Sequence, residues 1–216
     1  MHRFGANESL ARVARVVCRV CVVSAAAVAG VATVVVSGCS TVPVQSAAAT
    51  AIKPRTLAAT FNASGRIAVR DVGENKRGFS GGFSWNHTPT DDVVELLTPL
   101  GQIAARLTMT TSGTTIEQAD GRRATTAEPE AYIARVLGIR LPIRALPYWM
   151  QGAPVPGSSI RAEADSAGRL ALLWQDGWQI RYGDYADESF DANPTRIDLS
   201  QGDIEARILI GEWKAP

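Results

Sequence analysis

The sequence predicts a mainly β protein, an open or closed antiparallel β-barrel with a short helical insertion. Three observations support this fold class. Apolar and polar residues alternate with a period of two along most of the chain after residue 58, turn residues separate the alternating runs, and one stretch near the middle has helical spacing. With 216 residues, 46% of them hydrophobic and 20% charged, the chain is long and apolar enough for one folded domain.

The first half of the domain is predicted to be an antiparallel meander. A first strand is expected from Phe61 to Arg70 and a second over residues 79–85. The Asn-His-Thr-Pro-Thr sequence of residues 86–90 is a turn, and further strands follow at 94–96 and 103–109. Because short turns join strands that lie side by side, these four strands are expected to form one sheet.

Strand patterns resume at residue 170. Leu170, Leu172 and Trp174 are predicted to share the apolar face of one strand. The Asp-Gly pair within residues 175–177 is a typical hairpin turn, so the next strand is expected at 178–182. Two closing strands are predicted at 195–199 and 204–213.

One stretch between the two sets of strands has helical spacing. Pro and Glu in the Ala-Glu-Pro-Glu sequence of residues 127–130 suit the first turn of a helix, and Gly138 ends the run. A second short helix is expected from Pro142 to Trp149. The apolar side of this insertion carries Tyr132, Ile133, Val136, Leu137, Leu141, Ile143, Leu146, Trp149 and Met150. Such an apolar connection is expected to cover the sheet rather than face water.

The predicted inner face is rich in aromatic residues and poor in charged ones. Phe79, Phe83, Trp85, Trp174 and Trp178 all fall on it. Any one of these side chains is at home in an ordinary packed core. Their number leaves a second interpretation open, in which the barrel encloses an apolar cavity.

The first 38 residues have the pattern of a lipoprotein signal peptide. Four arginines precede an uncharged run from Val20 to Val36, and the run ends at the sequence Val-Ser-Gly-Cys of residues 36–39. Small residues before a cysteine suit a lipoprotein signal peptidase, so we expect cleavage before Cys39 and acylation of that thiol. The alternative is a transmembrane anchor, but no cluster of Lys or Arg follows Cys39 to stop transfer.

Cleavage at this site would set the organisation of the remaining chain. Residues 39–58 are predicted to be a lipid anchor with a flexible tether, and residues 59–216 the folded domain. Ser40 favours the outer membrane, because lipoproteins with Asp at this second position tend to stay on the inner one. Cys18 and Cys21 would leave with the signal peptide, so neither a disulfide nor a cysteine metal site is expected.

The sequence argues against catalysis and against nucleic-acid binding. The Gly-Phe-Ser-Gly-Gly sequence of residues 78–82 matches the nucleophile elbow of lipases, but a strand rather than a helix is predicted after Ser80. His87 is the single histidine of the mature chain, which is too few for a zinc site, and no acid lies between it and Ser80. The 22 basic and 21 acidic residues leave no basic excess for phosphate backbones. No cofactor, metal or nucleic acid is therefore expected.

One predicted turn carries an unusual apolar residue. In the Thr-Pro-Leu-Gly sequence of residues 98–101, Leu100 lies at the tip of a connection between two strands. Leu100 either folds back onto the core or enters a membrane with the tip of the loop. The sequence pattern leaves both interpretations open.

The chain resembles the LolB family, the outer-membrane receptors of the lipoprotein localisation (Lol) pathway. The resemblance extends from Phe61 to Trp213. It rests on Cys39 and on the segments Gly65–Val69, Phe83–Trp85, Leu96–Gly101, Pro142 with Leu146, Trp149, Gly152 and Pro154, then Gln175–Trp178, Tyr182 and Pro194–Ile197. The Leu-Leu-Thr-Pro-Leu-Gly sequence is the most specific of these.

The resemblance implies an incomplete, open antiparallel β-barrel of about ten or eleven strands, with short helices over an apolar cavity for acyl chains. Proteins of this family are carriers and not enzymes. They accept acylated lipoproteins from the soluble periplasmic carrier LolA and insert them into the inner leaflet of the outer membrane. By this resemblance the protein is lipid-anchored on the periplasmic side of that membrane, is expected to be monomeric, and inserts cargo through Leu100, flanked by Pro99 and Gly101.

Two sets of residues follow as candidates for the cargo site. The cavity walls are predicted to be Ile67, Val69, Phe79, Phe83, Trp85, Ile103, Leu107, Met109, Trp174, Trp178 and Ile180. The lid is predicted to carry Tyr132, Val136, Leu146 and Trp149. These assignments depend on register, because a slip of one residue reverses every face of a strand.

Two other functions remain open from the sequence. One is a lipid-degrading or acyl-transferring enzyme on the same anchor, in which Ser80 is the nucleophile. The other is a structural lipoprotein whose barrel core is packed solid. The first predicts that Ser80 is needed for activity, and the second predicts that no fatty-acid probe binds.

Overall fold

The computed structural model describes residues 52–73, 77–137 and 140–214, apart from the side chains of residues 136 and 137. The predicted signal peptide, Cys39 and most of the predicted tether lie outside these residues. In chain order the elements are β1 (Phe61–Asp71), β2 (Gly78–His87), β3 (Asp91–Leu97), β4 (Ile103–Thr110), β5 (Gly113–Gln118), β6 (Arg123–Thr126), α1 (Pro129–Leu137), α2 (Leu146–Met150), β7 (Ile160–Ala164), β8 (Leu170–Gln175), β9 (Trp178–Tyr185), β10 (Pro194–Gln201) and β11 (Ile204–Lys214).

All eleven strands form one sheet, in the order β6-β5-β4-β3-β2-β1-β11-β10-β9-β8-β7. Within β1–β6 and within β7–β11, successive strands are antiparallel neighbours, so the sheet consists of two meanders joined where β1 pairs with β11. Among the described residues the edge strands β6 and β7 are not paired with each other. The predicted open antiparallel β-barrel with a helical insertion is therefore confirmed.

Alternating burial along the strands gives the sheet one apolar face. In β1, Ala63, Ile67 and Val69 are buried, whereas Arg66 and Arg70 are exposed. The same period of two recurs in β2, β10 and β11. Since the apolar faces of neighbouring strands are on the same side, they form one continuous core against which α1 and α2 pack.

Two glycines allow neighbouring strands to approach closely where the sheet curls. A side chain at Gly81 would overlap with the backbone carbonyl oxygen of Leu97, and one at Gly65 would overlap with that of Leu209. Gly65 also lies at a register shift between β1 and β11, a β-bulge of the kind that bends a strand. These positions therefore favour the curvature of an open barrel over a flat sheet.

Three strands and one helix boundary differ from the sequence expectations. The alternation pattern assigned no residues to β5, β6 or β7, since each of these short strands contains at most one large apolar residue. The second helix begins at Leu146 rather than at Pro142. Because these three strands have so little apolar pattern, alternation could not locate them, although the expected total of ten or eleven strands allowed for them.

A β-bulge in β8 changes which of its residues face the core. The register of β8 against β7 shifts between Leu170 and Leu172, so the alternation changes phase. Leu173 is fully buried, while Trp174 lies on the outer face with the Arg161 guanidinium 3.6 Å from its ring centre. The prediction that Trp174 faces the interior was wrong, because a strict period of two does not allow for an inserted residue.

Gln175 holds α2 against the inner face of the sheet. Its side-chain oxygen accepts hydrogen bonds from the Trp149 indole N–H and the Val155 backbone N–H, each at 2.9 Å. The Tyr182 hydroxyl donates to the Trp149 carbonyl oxygen at 3.1 Å. Burial raises the pKa of this hydroxyl well above its usual range, so it remains a donor. The indole of Trp149 is thus completely enclosed and fully hydrogen-bonded.

The antiparallel order places the connections between strands at two ends of the sheet. The β1–β2, β3–β4, β5–β6, β8–β9 and β10–β11 connections lie at one end, which we call the loop end because it carries Leu100. The β2–β3, β4–β5, β7–β8 and β9–β10 connections lie at the other, the far end. The contacts of residues 52–58 with these connections show at which end the chain enters the domain.

Residues 52–58 lie against the far end of the sheet. The Arg55 guanidinium donates a hydrogen bond of 2.7 Å to the carbonyl oxygen of Asp191, in the β9–β10 connection. The Ala58 N–H donates to the side-chain oxygen of Gln151 at 2.8 Å. This part of the predicted tether is therefore packed onto the domain, and the chain joins it at the end opposite Leu100.

Candidate functional site

An apolar cavity of about 150 Å³ lies between α1 and the inner face of the sheet. Strands β2 to β5 supply one wall, and α1 with the segment after it supplies the other. The lining residues are Phe79, Val94, Leu96, Ala104, Ala105, Leu107, Ile116, Gln118, Tyr132, Ile133 and Ile143. Apart from the Gln118 amide and the Tyr132 hydroxyl, these side chains are hydrocarbon, so the cavity suits an apolar guest.

Strand pairing assembles the sheet wall of the cavity. Leu107 in β4 lies directly opposite Val94 in β3 and Ile116 in β5, and Trp85 continues the row in β2. All four side chains are buried. Because they come from consecutive strands of a meander, their position depends only on local hairpin register.

The cover of the cavity comes from α1 and the segment that follows it. Tyr132 and Ile133 project from α1, and Ile143 from the next segment. The Arg144 guanidinium donates a hydrogen bond of 2.7 Å to the Ala127 carbonyl oxygen, which ties this segment to the start of the helix. This bond is exposed to water, so it resists movement of the cover only weakly.

The cavity is small for a ligand pocket. Pockets that enclose drug-sized ligands usually measure about 300–1,000 Å³, whereas this one measures about 150 Å³. A cavity of this size accommodates only part of one long acyl chain. A larger apolar guest would require the cover to move away from the sheet.

Most of the predicted wall residues are in the core, but few of them line the cavity. The buried ones are Ile67, Val69, Phe83, Trp85, Leu107, Met109, Trp178 and Ile180, and Phe79 is half-buried. Of these, Phe79 and Leu107 line the cavity, and the others belong to the hydrophobic core without lining it. Ile103 is 42% exposed, so the prediction that it faces the cavity was wrong.

The cavity also uses residues that the sequence analysis did not select. Val94, Leu96, Ala105 and Ile133 follow the predicted alternation and helical spacing, and this pattern is the signal that would have identified them. Ile116 could not be selected because its strand, β5, carries too little apolar pattern to be assigned.

The four predicted lid residues have different positions. Tyr132 lines the cavity from α1, and its role as a lid stays a prediction. Leu146 and Trp149 belong to α2 and are buried against the other half of the sheet, away from the cavity lining. The side chain of Val136 lies outside the described part of the chain.

The β3–β4 connection holds Leu100 out in water. The Gly101 N–H donates to the Thr98 carbonyl oxygen at 2.9 Å, which closes a turn with Pro99 and Leu100 at its centre. Proline is favoured at the first central position of such a turn, where Pro99 lies. Gly101, at the end of the turn, adopts a φ of +83°. Leu100 is 88% exposed, so it does not fold back onto the core.

The cavity and the protruding loop share the same strand ends. Leu96 lines the cavity four residues before Leu100, and Ala104 and Ala105 line it just after the loop. The loop therefore connects two strands that both line the cavity close to their loop ends. An apolar guest leaving the cavity at this end would meet Leu100 first.

A second, larger cleft of about 750 Å³ lies on the outer face of the sheet. Charged side chains line much of it, including Arg181, Arg196, Asp198, Glu205 and Arg207. Ionised walls of this kind exclude hydrocarbon chains from water poorly. The smaller cavity beneath α1 is therefore the better site for an acyl chain.

The residues considered for catalysis do not form a catalytic group. Ser80 lies within β2 on the exposed outer face, as the strand pattern predicted. His87 Nδ1 lies 2.7 Å from an Asp92 oxygen, which also accepts a hydrogen bond from the Trp85 indole at 2.6 Å. Within the described ranges no cluster of three or more His, Cys, Asp or Glu is arranged for a metal, and no helix there is long and apolar enough to cross a membrane.

Comparison with known proteins identifies one family. The family model described as "Outer membrane lipoprotein LolB" matches residues 59–213 of this chain. A protein of Azoarcus sp. named "Outer-membrane lipoprotein LolB" is 38% identical over 88% of this chain and 94% of its own length. Proteins of the same name from Nitrosomonas europaea and Alkalilimnicola ehrlichii are 32% and 31% identical, over 80% and 86% of this chain and 78% and 94% of their own lengths.

Proposed function

We propose a transfer mechanism for this chain, which belongs to the LolB family of outer membrane lipoproteins. Proteins of this family bind and transport lipoproteins and are not enzymes. In this mechanism, the protein takes acylated lipoproteins from the soluble periplasmic carrier LolA and inserts them into the inner leaflet of the outer membrane. The lipoprotein's acyl chains enter the cavity beneath α1 and leave past Leu100.

One observation carries the proposal: the two strands that carry the exposed Leu100 loop also supply Leu96, Ala104 and Ala105 to the lining of the apolar cavity. A carrier that delivers lipid into a bilayer needs both a dry compartment and a path from it to the membrane. Leu96 and Ala105 belong to the wall of the cavity and flank the loop at the same time. Binding and insertion are thereby coupled through one hairpin.

Transfer through such a cavity needs no nucleotide. Each CH₂ moved out of water contributes about 0.8 kcal/mol, so a free triacylated lipoprotein is held strongly by any apolar compartment. If this cavity binds the chains better than LolA does, transfer is downhill, and release into the bilayer is downhill again. Only apolar walls that exclude water are required, and this cavity supplies them.

Entry of cargo requires the cover to open. The closed cavity of about 150 Å³ is too small for three acyl chains. We propose that α1 and the segment containing Ile143 move away from the sheet as the chains enter, with Tyr132 and Ile133 then contacting them. The exposed Arg144 bond to Ala127 is broken at little cost in this movement.

The protein itself is proposed to be anchored through acylated Cys39, with its domain in the periplasm. Ser40 directs it to the outer membrane, and the mature chain carries 18 basic and 20 acidic residues. Monomeric protein suffices for this activity, because the cavity and the loop lie in one chain.

The test is a transfer reaction in solution. Residues 39–216 with Cys39→Ala are mixed with a purified complex of LolA and an acylated lipoprotein, and the lipoprotein is then located by pull-down. We expect it on this protein. An Ala105→Trp variant fills the cavity and is expected to accept little cargo, whereas Ala68→Trp places the same bulk on the exposed face of β1 and accepts it normally.

Two results would contradict the proposal. Lipoprotein that stays on LolA would favour a structural lipoprotein with a solid core. Equal acceptance by the Ala105→Trp and Ala68→Trp variants would show that cargo binds somewhere other than the cavity beneath α1.

A further inference from the structure

A β-bulge at the base of the Leu100 loop turns an apolar side chain outward. The register of β3 against β4 shifts at this point, so Leu96 pairs with Ala105 but Leu97 pairs with Ile103. Leu97 faces outward by ordinary alternation, since Leu96 faces the cavity. Without the extra residue, Ile103 would face inward with Ala105, and the bulge reverses it.

The outward residues form one continuous apolar surface. Leu97 pairs with Gly82 as well as with Ile103, and the Leu97 side chain covers the position that a side chain on Gly82 would occupy. Ile103 is 42% exposed and Leu100, between the two strand ends, is 88% exposed. We call Gly82, Leu97, Leu100 and Ile103 the loop-base patch. Exposed apolar patches of this kind usually mark an interaction surface.

An arginine borders the loop-base patch on the same face. Gly82 pairs with Arg66 in β1, so the Arg66 side chain is the next exposed group in this row. Arg70 is paired with Glu205, and Arg106 with Glu95. Among the described residues no carboxylate lies within ion-pair distance of Arg66. The patch therefore has an uncompensated positive charge at its edge.

We propose that the loop-base patch and Arg66 form one docking surface for a phospholipid bilayer. Leu97 and Ile103 enter the boundary between headgroups and acyl chains beside Leu100, and Arg66 binds a headgroup phosphate. This inference rests on the proposed delivery to a membrane and extends it from one leucine to a surface of fixed orientation.

The chemistry of the surface matches a bilayer interface. An interface presents phosphates over hydrocarbon within a few ångströms, and amphipathic surfaces bind it by combining apolar side chains with basic ones. Here Leu97, Ile103 and the Arg66 guanidinium lie in one row across neighbouring strands, so apolar and basic groups are side by side on one face. An arginine also keeps its charge while its stem packs along apolar neighbours.

The test measures binding of unacylated protein to vesicles. Residues 39–216 with Cys39→Ala are sedimented with vesicles of phosphatidylethanolamine and phosphatidylglycerol. Ile103→Glu is expected to weaken binding about tenfold, as expected for the loss of one apolar contact. Ile160→Glu is the matched control, because Ile160 is 45% exposed on the edge strand β7, and its binding is expected to equal that of the parent.

Arg66 is tested by the salt dependence of the same binding. Arg66→Gln is expected to bind more weakly at low salt and to lose part of the salt dependence, because one phosphate contact is gone. Arg70→Gln removes an arginine of the same strand that is already neutralised by Glu205, so it is expected to change neither quantity. Thermal unfolding of each variant shows whether it is folded, and Leu97→Ser provides a second patch variant if Ile103→Glu is not.

Three results would overturn the docking surface. They are parent-like binding by both patch variants, equal losses in Ile103→Glu and Ile160→Glu, and equal salt dependence in Arg66→Gln and the parent. Cargo acceptance from LolA is measured on the same preparations. Failure of the parent to accept cargo contradicts the proposed function, whereas normal acceptance with unchanged vesicle binding contradicts only the docking surface.

Discussion

Leu100 is held in water by the chemistry of its own turn. Pro99 fixes one backbone angle, Gly101 adopts the left-handed conformation, and the Thr98 carbonyl closes the turn. Burying a leucine is worth about 1.5–3 kcal/mol, so keeping one 88% exposed is a substantial cost in water. That cost is recovered when the tip enters a hydrocarbon phase.

Replacing Leu100 should therefore separate insertion from acceptance. Leu100→Glu is expected to take cargo from LolA normally but to deliver it to liposomes at least tenfold more slowly, since the charged tip resists entry into hydrocarbon. Leu100→Met keeps an apolar tip and is expected to deliver normally. The measurement is the fraction of lipoprotein recovered with floated liposomes, and simultaneous loss of acceptance in Leu100→Glu would contradict this role.

Gln175 is a residue whose importance lies in its hydrogen bonds. Gln175→Leu would leave the Trp149 indole N–H and the Val155 N–H and carbonyl without their partners in the interior. We expect a loss of about 3 kcal/mol in the free energy of unfolding, measured with urea. Gln179→Leu, at a half-buried position in β9, is expected to cost far less. Equal losses in the two variants would contradict this role of Gln175.

At the scale of elements, close strand contacts set the curvature on which the cavity depends. Gly81→Ala would push a methyl group into the Leu97 carbonyl and is expected to lower the free energy of unfolding by about 1–3 kcal/mol. Gly211→Ala is the control, because its nearest contact would be an ordinary 3.8 Å to the Ser64 oxygen. Denaturant unfolding of the two variants checks this, and a similar stability for both would show that the Gly81 contact relaxes freely.

Simple alternation predicts the positions of most strands better than it predicts which face of the sheet each residue occupies. The periodicity places β1, β2 and β9 correctly because each keeps a strict period of two against a buried core. It misplaces Trp174 and Ile103, since a bulge inserts one residue before Trp174 in β8 and one residue after Ile103 in β4. Bulges depend on neighbouring strands, so their positions are not visible within one strand's own pattern.

In the candidate site, the Leu100 loop could be predicted from the sequence, but most of the cavity lining could not. The Thr-Pro-Leu-Gly turn can be recognised locally, because proline and glycine each require a specific turn position, and the loop is where the sequence puts it. The cavity depends on how α1 lies across β2 to β5, which is a matter of tertiary packing. Only Phe79, Leu107 and Tyr132 were selected in advance from its lining.

At the scale of the whole molecule, the chain reaches the domain at the end opposite the Leu100 loop. Residues 52–58 pack against the far end, so the tether must pass along the barrel if the loop end is to meet the anchoring membrane. The strand β1 is about 35 Å long at ~3.3 Å per residue, and the 13 residues from Cys39 to Ile52 can span at most about 45 Å. A tether anchored at Cys39, as proposed, would therefore be just long enough.

Shortening the tether should prevent delivery without affecting the domain. Deletion of residues 41–48 reduces the maximum span to about 18 Å, which is shorter than the barrel. Acylated protein in liposomes is then expected to accept lipoprotein from LolA but to retain it rather than release it into the bilayer. Replacement of the same eight residues by Gly and Ser preserves the length and should restore delivery. Delivery by the deletion variant would contradict passage of the tether along the barrel.

The proposed function requires that acyl chains of the cargo occupy the cavity beneath α1. The most direct measurement replaces Tyr132, which covers the cavity, or Trp174, which lies on the outer face, with a photoreactive phenylalanine. Each variant is loaded from the LolA–lipoprotein complex and irradiated. We expect crosslinks to the lipoprotein's acyl chains from position 132 and none from position 174. Crosslinks from position 174 alone, or equally from both, would contradict the proposed function.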